Sequence, residues 1–172
     1  MNTTKEQIVK YWFKVAGIEE RGLSVDAAES YERCWRCGCR AELERCHIIP
    51  QFLGGKNYPD NLVLLCHRCH IENPNVKDSE IMWDWIRAYG TPFYDRFWIL
   101  QAMKEYEFIY NKSFEEELKK RKITDIKSFA GAFKNKFKET SYHFGEPYCN
   151  KATIAGMIRM ILKDYDAKKV LK

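Results

Sequence analysis

No stretch of the 172-residue chain approaches the roughly 18 consecutive apolar residues that a membrane-crossing helix needs. The N-terminus, MNTTKEQIVKYWFKV, lacks the basic start, apolar centre and small-residue cleavage site of a secretory leader. These absences lead us to expect a cytoplasmic chain with no membrane partner. Internal repeats and low-complexity segments are missing too. Disorder is excluded on other grounds, because 45% hydrophobic and 15% aromatic residues suffice to bury a core. The length suits one ordinary domain, or a small domain with an extension.

A disulfide framework is not indicated. The seven cysteines are odd in number, and four of them fall in two Cys-x-x-Cys pairs, Cys34-Trp-Arg-Cys37 and Cys66-His-Arg-Cys69. Two such pairs on neighbouring turns can surround one tetrahedral Zn²⁺ ion with four sulfurs at about 2.3 Å. A site of that kind has no open coordination position, so the zinc is expected to be structural. It would staple a region too short and polar to fold on apolar burial alone. Cys39 and Cys149 are spare and read as ordinary small residues. Paired knuckles favour metal over thiol exchange, which argues against a disulfide oxidoreductase.

The first half lacks an excess of either charge, and the second half is basic. Residues 81–172 hold 18 Lys and Arg against 12 Asp and Glu, whereas residues 1–80 hold 11 against 12. A grip on an anionic polymer would therefore fall to the second half, although a solvated helical surface explains the same balance.

Residues 4–16 place Ile8, Val9, Trp12, Phe13 and Ala16 on a helical stripe, and Asp26 is positioned to cap a short helix through Tyr31. Between Cys34 and His70 the texture becomes that of a small β unit with a long loop, punctuated by Gly38, Gly54, Gly55, Asn57, Pro59 and Asp60. Leu43–Ile49 and Asn61–Leu65 read as strands, and His67–Asn73 as the start of a helix. Beyond Pro74 the pattern is helical: from Ser79 with Ile81, Trp85 and Ile86 on one face, an interruption at Pro92, then Phe97 to Tyr110. A further helix from Thr124 to Lys138 carries Ile126, Phe129, Ala130, Phe133 and Phe137 on one side and Lys127, Lys134 and Lys138 on another. The last, 151–169, is built on Ile154, Met157, Ile158, Ile161 and Leu162. The aromatic and Met stripes are core.

Inside the cysteine-bounded loop stand Glu44-Arg-Cys-His47-Ile-Ile-Pro50, Gly54-Gly55, Asn61-Leu-Val-Leu-Leu-Cys66 and Cys69-His70. This ordered set resembles the HNH (ββα-metal) endonuclease family, in its four-cysteine branch, over about residues 30–78. The resemblance implies an α+β fold, with a small zinc-bound ββα-metal unit embedded in a mostly α-helical chain. The expected organisation is an N-terminal helical segment (1–29), the nuclease core (30–78) and a helical C-terminal region (79–172) for DNA binding or dimerisation. It further implies a metal-dependent endodeoxyribonuclease, with His47 as general base, Asn61 steadying the hairpin and the base, and His70 as ligand of a catalytic divalent ion such as Mg²⁺.

Those residue types suit the chemistry. Phosphodiester hydrolysis needs a deprotonated water in line with the leaving oxygen and neutralisation of charge on the phosphate, and a histidine with a reference pKa of about 6.5 can accept the proton at pH 7. One departure from the family pattern matters. The residue before the base is commonly Asp or His and serves as a second metal ligand, but here it is Cys46, a poor partner for hard Mg²⁺. Cys46 is read as a buried structural residue, leaving the ion to His70 and, about one turn on, Asn73.

The expected partner is double-stranded DNA. Arg36, Arg40, Arg45 and Arg68, together with Lys119, Lys120, Arg121, Lys122 and the Lys127/Lys134/Lys138 face, are either phosphate contacts or solvated side chains. Cutting both strands with one active site per chain would favour a homodimer. His67 reads as a surface residue, and His143 receives no role. A restriction, phage, mobile-element or defence enzyme would fit a unit of this size. The competing reading is a non-catalytic zinc ribbon that binds nucleic acid, which explains the cysteines but not His47, Asn61 and His70. A zinc deaminase fails, because His47 is followed by Ile48 and Ile49 rather than by x-Glu, and Leu65 stands where Pro should precede the cysteine pair.

Overall fold

The structure, a computed structural model, describes residues 3–18, 23, 25–88, 95–142, 145–146 and 148–170. The fold is α+β: a two-stranded antiparallel hairpin and a four-cysteine cluster within a mostly helical chain. The chain divides into two compact units, residues 1–97 and 98–172. Pro92 and His143 lie outside the described residues. Among the described residues no helix is long and apolar enough to cross a membrane.

The first unit begins with α1 (Lys5–Val9), capped by a reciprocal Thr4/Gln7 box and continued by a π-helical turn, Lys10–Val15. Its buried side, Ile8, Val9, Trp12 and Phe13, is the expected stripe, and the Trp12 indole donates to the Leu62 carbonyl at 2.7 Å. Trp12 meets Trp83 edge-on at 4.8 Å, and Phe13 meets Trp35 at 5.3 Å. The Trp12 bond fastens this segment to the hairpin of β1 (Leu43–His47) and β2 (Leu62–Cys66), whose register runs from Leu43↔Cys66 to His47↔Leu62. Every residue of β2 is buried, as expected of a strand covered on both faces, whereas β1 mixes buried and accessible positions. A five-residue helix, α2 (His67–Ile71), leaves β2 directly and packs against both strands.

Two local expectations need correction. Residues 27–32 form turns rather than a helix, although Asp26 does accept a cap-like bond from the Glu29 amide at 3.0 Å. Helix α3 (Ser79–Arg87) starts where expected but buries Met82, Trp83 and Ile86, leaving Ile81 exposed and Trp85 half-buried. The helix turns this way because Trp83 is needed against Trp12, and because the Trp85 ring carries the Arg36 guanidinium at 3.9 Å.

The second unit holds most of α4 (Phe97–Tyr110), then α5 (Phe114–Arg121), α6 (Ile126–Lys136) and α7 (Lys151–Val170). Its core gathers Tyr106, Phe129, Ala155, Ile158, Ile161 and Leu162. Helix α5 had no apolar stripe to announce it; a Ser113/Glu116 capping box and an acid-first, base-last charge order build it instead. On α6, Phe129 is buried and Phe133 packs beside it, whereas Ile126, Ala130 and Phe137 face solvent. That face is therefore narrower than the five-residue stripe expected.

Candidate metal and nuclease site

The two cysteine knuckles meet because the Trp35 amide donates to the Leu64 carbonyl at 3.1 Å, which pins the first knuckle alongside β2. Gly38, in the left-handed region at φ 67°, lets its amide turn back to the Cys34 carbonyl at 2.9 Å. The sulfurs of Cys34, Cys37, Cys66 and Cys69 then all lie within 4.8 Å of one another, and all four residues are buried. The Cys37 and Cys66 sulfurs are 3.8 Å apart. Four sulfurs at about 2.3 Å from one ion would be spaced by about 3.8 Å along each tetrahedral edge, so this group fits zinc.

The sulfurs also perturb one another's ionisation. Hydrogen bonding from Cys34, with Cys39 and Cys69 adding to it, lowers the Cys37 thiol to about 4, while bonds with Cys34, Cys37 and Cys66 push Cys69 up. A doubly charged ion bound among them would draw all four to thiolate. Arg36 balances the resulting negative charge. Its side chain is buried, donates to the Cys69 sulfur at 3.6 Å and to Glu72 at 3.0 Å, and lies over the rings of Trp85 and Phe97.

The hairpin loop is locked by Asn61. Its side-chain oxygen accepts from the Ile49 amide at 2.9 Å, and its amide donates to the Ile49 carbonyl at 3.0 Å and the Lys56 carbonyl at 3.1 Å. The two glycines serve different ends in this loop. Gly54 takes φ 94°, which other residues rarely adopt, while a methyl group on Gly55 would stand 1.8 Å from the Ile49 oxygen and 2.7 Å from the Asn61 amide nitrogen. Gly55 is therefore the space into which the Asn61 clamp fits.

His47 ends β1, half-buried, and its Nε2 lies 2.6 Å from the Asn57 side-chain oxygen. Asn57 went unread in the sequence beyond its value as a turn residue, and it is the direct partner of the imidazole; Asn61 grips the loop around it. Across the hairpin, Glu44 joins β1 to α2. Its carboxylate reaches His70 Nδ1 at 2.5 Å and His67 Nδ1 at 2.9 Å. Burial pushes the Glu44 carboxyl up, but the hydrogen bonds with His70 and His67 outweigh it and hold the group below its ordinary range. A carboxylate on one ring nitrogen of a metal-binding histidine is the usual way to aim the other at an ion. Imidazole and carboxylate are donors that suit a divalent cation there.

Cys46 is buried, 1% exposed, with its thiol turned to the His47 carbonyl at 3.7 Å and pushed up to about 12 by burial and by the charges of Cys34 and Glu44. It remains a thiol and packs as a small apolar side chain. Asn73 lies beyond the end of α2, and its side-chain amide donates to the Pro74 carbonyl at 3.2 Å. Cys39 directs its sulfur at the Cys37 carbonyl at 3.7 Å, and Cys149 is buried.

Several basic residues do other work than the sequence suggested. Arg36 serves the cysteine cluster, Arg40 pairs with Glu32 at 2.8 Å, and Arg45 donates to the Thr3 carbonyl at 2.7 Å. Arg121 is buried between Glu117 and Asp166, the latter at 2.8 Å. By contrast Lys119, Lys120, Lys122, Lys127, Lys134 and Lys138 are all exposed on the second unit.

No curated protein and no solved structure gives a significant match to the chain. The family model described as HNH endonuclease matches residues 34–82, a span that runs from the first knuckle into α3 and takes in the cysteine cluster, the clamped hairpin loop, His47 and His70. Residues 34–82 are thus similar to HNH endonucleases, and the four-cysteine cluster lies within that span.

Proposed function

We propose that the chain is a metal-dependent endonuclease that hydrolyses phosphodiester bonds of double-stranded DNA, with His47 as general base. The observation that carries this reading is the setting of His47: an imidazole on a strand end, half open to solvent, with one nitrogen engaged at 2.6 Å and its loop clamped by three Asn61 bonds. A ring so held can take the proton of a water aligned with the scissile phosphorus, which is the task hydrolysis sets. His70, oriented by Glu44 from α2, would hold a divalent ion, with Asn73 as the outer donor. Such an ion supplies charge neutralisation at the phosphate and the 3′ leaving oxygen. With Cys46 in place of a carboxylate, the site should favour Mn²⁺ or a softer ion over Mg²⁺.

The exposed lysines of the second unit support backbone contact, which gives affinity and salt dependence without choice of sequence. A single HNH segment per chain suits nicking, or double-strand cutting by two chains about a two-fold axis.

The test is incubation of the desalted, zinc-loaded protein with supercoiled plasmid, without added metal and with Mg²⁺ or Mn²⁺. Cleavage only with divalent ion is expected, and discrete fragments, a smear or relaxed circles would read out restriction-like, unspecific or nicking action. DNA binding without cleavage under any divalent ion would instead identify a zinc-ribbon binding module.

A further inference from the structure

We propose that Asn57 and Thr3 are positioning residues for the base: Asn57 holds His47 in the tautomer that leaves Nδ1 free to take a proton, and Thr3 holds Asn57 in place. This rests on the reading of His47 as the base and names how the chain prepares it.

The contact between His47 Nε2 and Asn57 Oδ1 measures 2.6 Å. That separation is at the short end for an N–H donating to an oxygen, and it is the amide oxygen that faces the ring. An amide oxygen only accepts, so Nε2 must carry the hydrogen, and in a neutral imidazole the lone pair then resides on Nδ1. With its tautomer and its ring angle both set, the base need not search for its reactive orientation when water and phosphate arrive.

Asn57 sits in an exposed stretch of the loop and is secured from a distance. Its backbone carbonyl accepts a hydrogen bond from the Thr3 hydroxyl, 54 residues away in sequence. Thr3 is buried, and its own carbonyl accepts from Arg45 at 2.7 Å. Arg45 and His47, two residues apart on β1, share one face of the strand. The contacts thus close a ring, from Arg45 to Thr3, from Thr3 to Asn57, from Asn57 to His47 and back along β1. Asn61 takes no part in it, because its bonds go to Ile49 and Lys56. Thr3 also lies outside the 34–82 segment that matches the HNH family. The N-terminal segment therefore adds, from outside the family-matched span, a tether at Asn57 itself.

The experiment uses the full, zinc-loaded chain and its Asn57→Ala, Asn57→Asp and Thr3→Val variants, beside His47→Ala. Two quantities are read: kcat and KM on supercoiled plasmid with Mn²⁺, and imidazole ¹⁵N shifts of histidine-labelled protein, the His47 signals being assigned from His47→Ala. The wild type should show a protonated Nε2 and an unprotonated Nδ1. In Asn57→Ala that pattern should give way to a tautomer mixture, with kcat down by up to about 100-fold, the scale of a misplaced catalytic group, and KM unchanged within about twofold. Asn57→Asp keeps an accepting oxygen and should retain the wild-type tautomer and more of the rate. Thr3→Val should shift both readouts in the direction of Asn57→Ala by a smaller amount. A wild-type ring protonated on Nδ1, or Asn57→Ala with wild-type shifts and kcat, overturns the proposal. Should His47→Ala itself cleave at the wild-type rate, it is the base assignment that fails. If His47→Ala is inactive while Asn57→Ala is normal, only the positioning role is lost.

Discussion

Replacing Asn61 by Ala removes three hydrogen bonds at once, to Ile49 N, Ile49 O and Lys56 O. A hydrogen bond of this kind contributes about 0.5–1.5 kcal/mol net, so the substitution should cost about 1.5–4.5 kcal/mol. Four of the five tryptophans, Trp12, Trp35, Trp83 and Trp85, lie in the first unit, so their fluorescence during urea unfolding reports that unit. With an m-value of about 2 kcal/mol/M, the midpoint should fall by about 1–2 M. Asn61→Asp makes a sharper test. The carboxylate still accepts from the Ile49 amide, but its second oxygen replaces the donating nitrogen 3.0 Å from the Ile49 oxygen and 3.1 Å from that of Lys56. Facing two acceptors, this carboxyl would have its pKa raised on folding, so the folded state binds the extra proton. Stability of the Asp variant should therefore rise relative to Ala as pH falls toward about 4, and drop below Ala at pH 7. If Asn61→Ala shifts the midpoint by less than about 0.3 M, or if the Asp variant shows no pH dependence relative to Ala, the clamp is not what fixes the loop.

Two further outcomes concern metal binding. Removing zinc by chelation, or replacing Cys34 with Ser, should unfold the first unit, while the separate core around Tyr106, Phe129 and Ile158 keeps its helices. Circular dichroism should then retain much of the helical signal while tryptophan fluorescence shifts to that of exposed indole, and complete loss of helix would contradict the division into two cores. Cys46→Asp would place a carboxylate on the same face of β1 as Glu44, which meets His70. The substitution should lower the Mg²⁺ concentration needed for cleavage by about tenfold, and should destabilise the metal-free protein, in which a carboxyl would be buried without a cation. A Mg²⁺ titration with unchanged midpoint would show that position 46 does not reach the ion.

What the sequence disclosed was chiefly what is local. The cysteine pairs, Gly54-Gly55 and the start of α3 at Ser79 depend on spacing within a few residues, and the structure builds each where its spacing implied; the first strand begins at Leu43 as expected but stops at His47, two residues short of Ile49. Long-range partners were hidden. Thr3 meets Asn57 across 54 residues, and Glu44 reaches His67 and His70 only once β1 has paired with β2 and α2 has packed on the hairpin. Charge was legible in number but not in use: Arg36 and Arg121 look like neighbouring surface cations until their burial against Glu72, Glu117 and Asp166 is seen. Apolar periodicity misled in two ways: α3 is turned so that Trp83 rather than Trp85 goes inside, and on α6 more residues matched the stripe than the core takes, with Phe129 alone buried.

The central claim is that His47 removes the proton from the attacking water. Its most direct measurement is the single-turnover cleavage rate of supercoiled plasmid by His47→Ala with saturating Mn²⁺, on protein whose zinc content and DNA affinity match the wild type. A general base contributes typically about 10²- to 10⁴-fold, so the variant should be slower by at least about a hundredfold. A folded, zinc-loaded His47→Ala protein that cuts within about threefold of the wild-type rate would contradict the account.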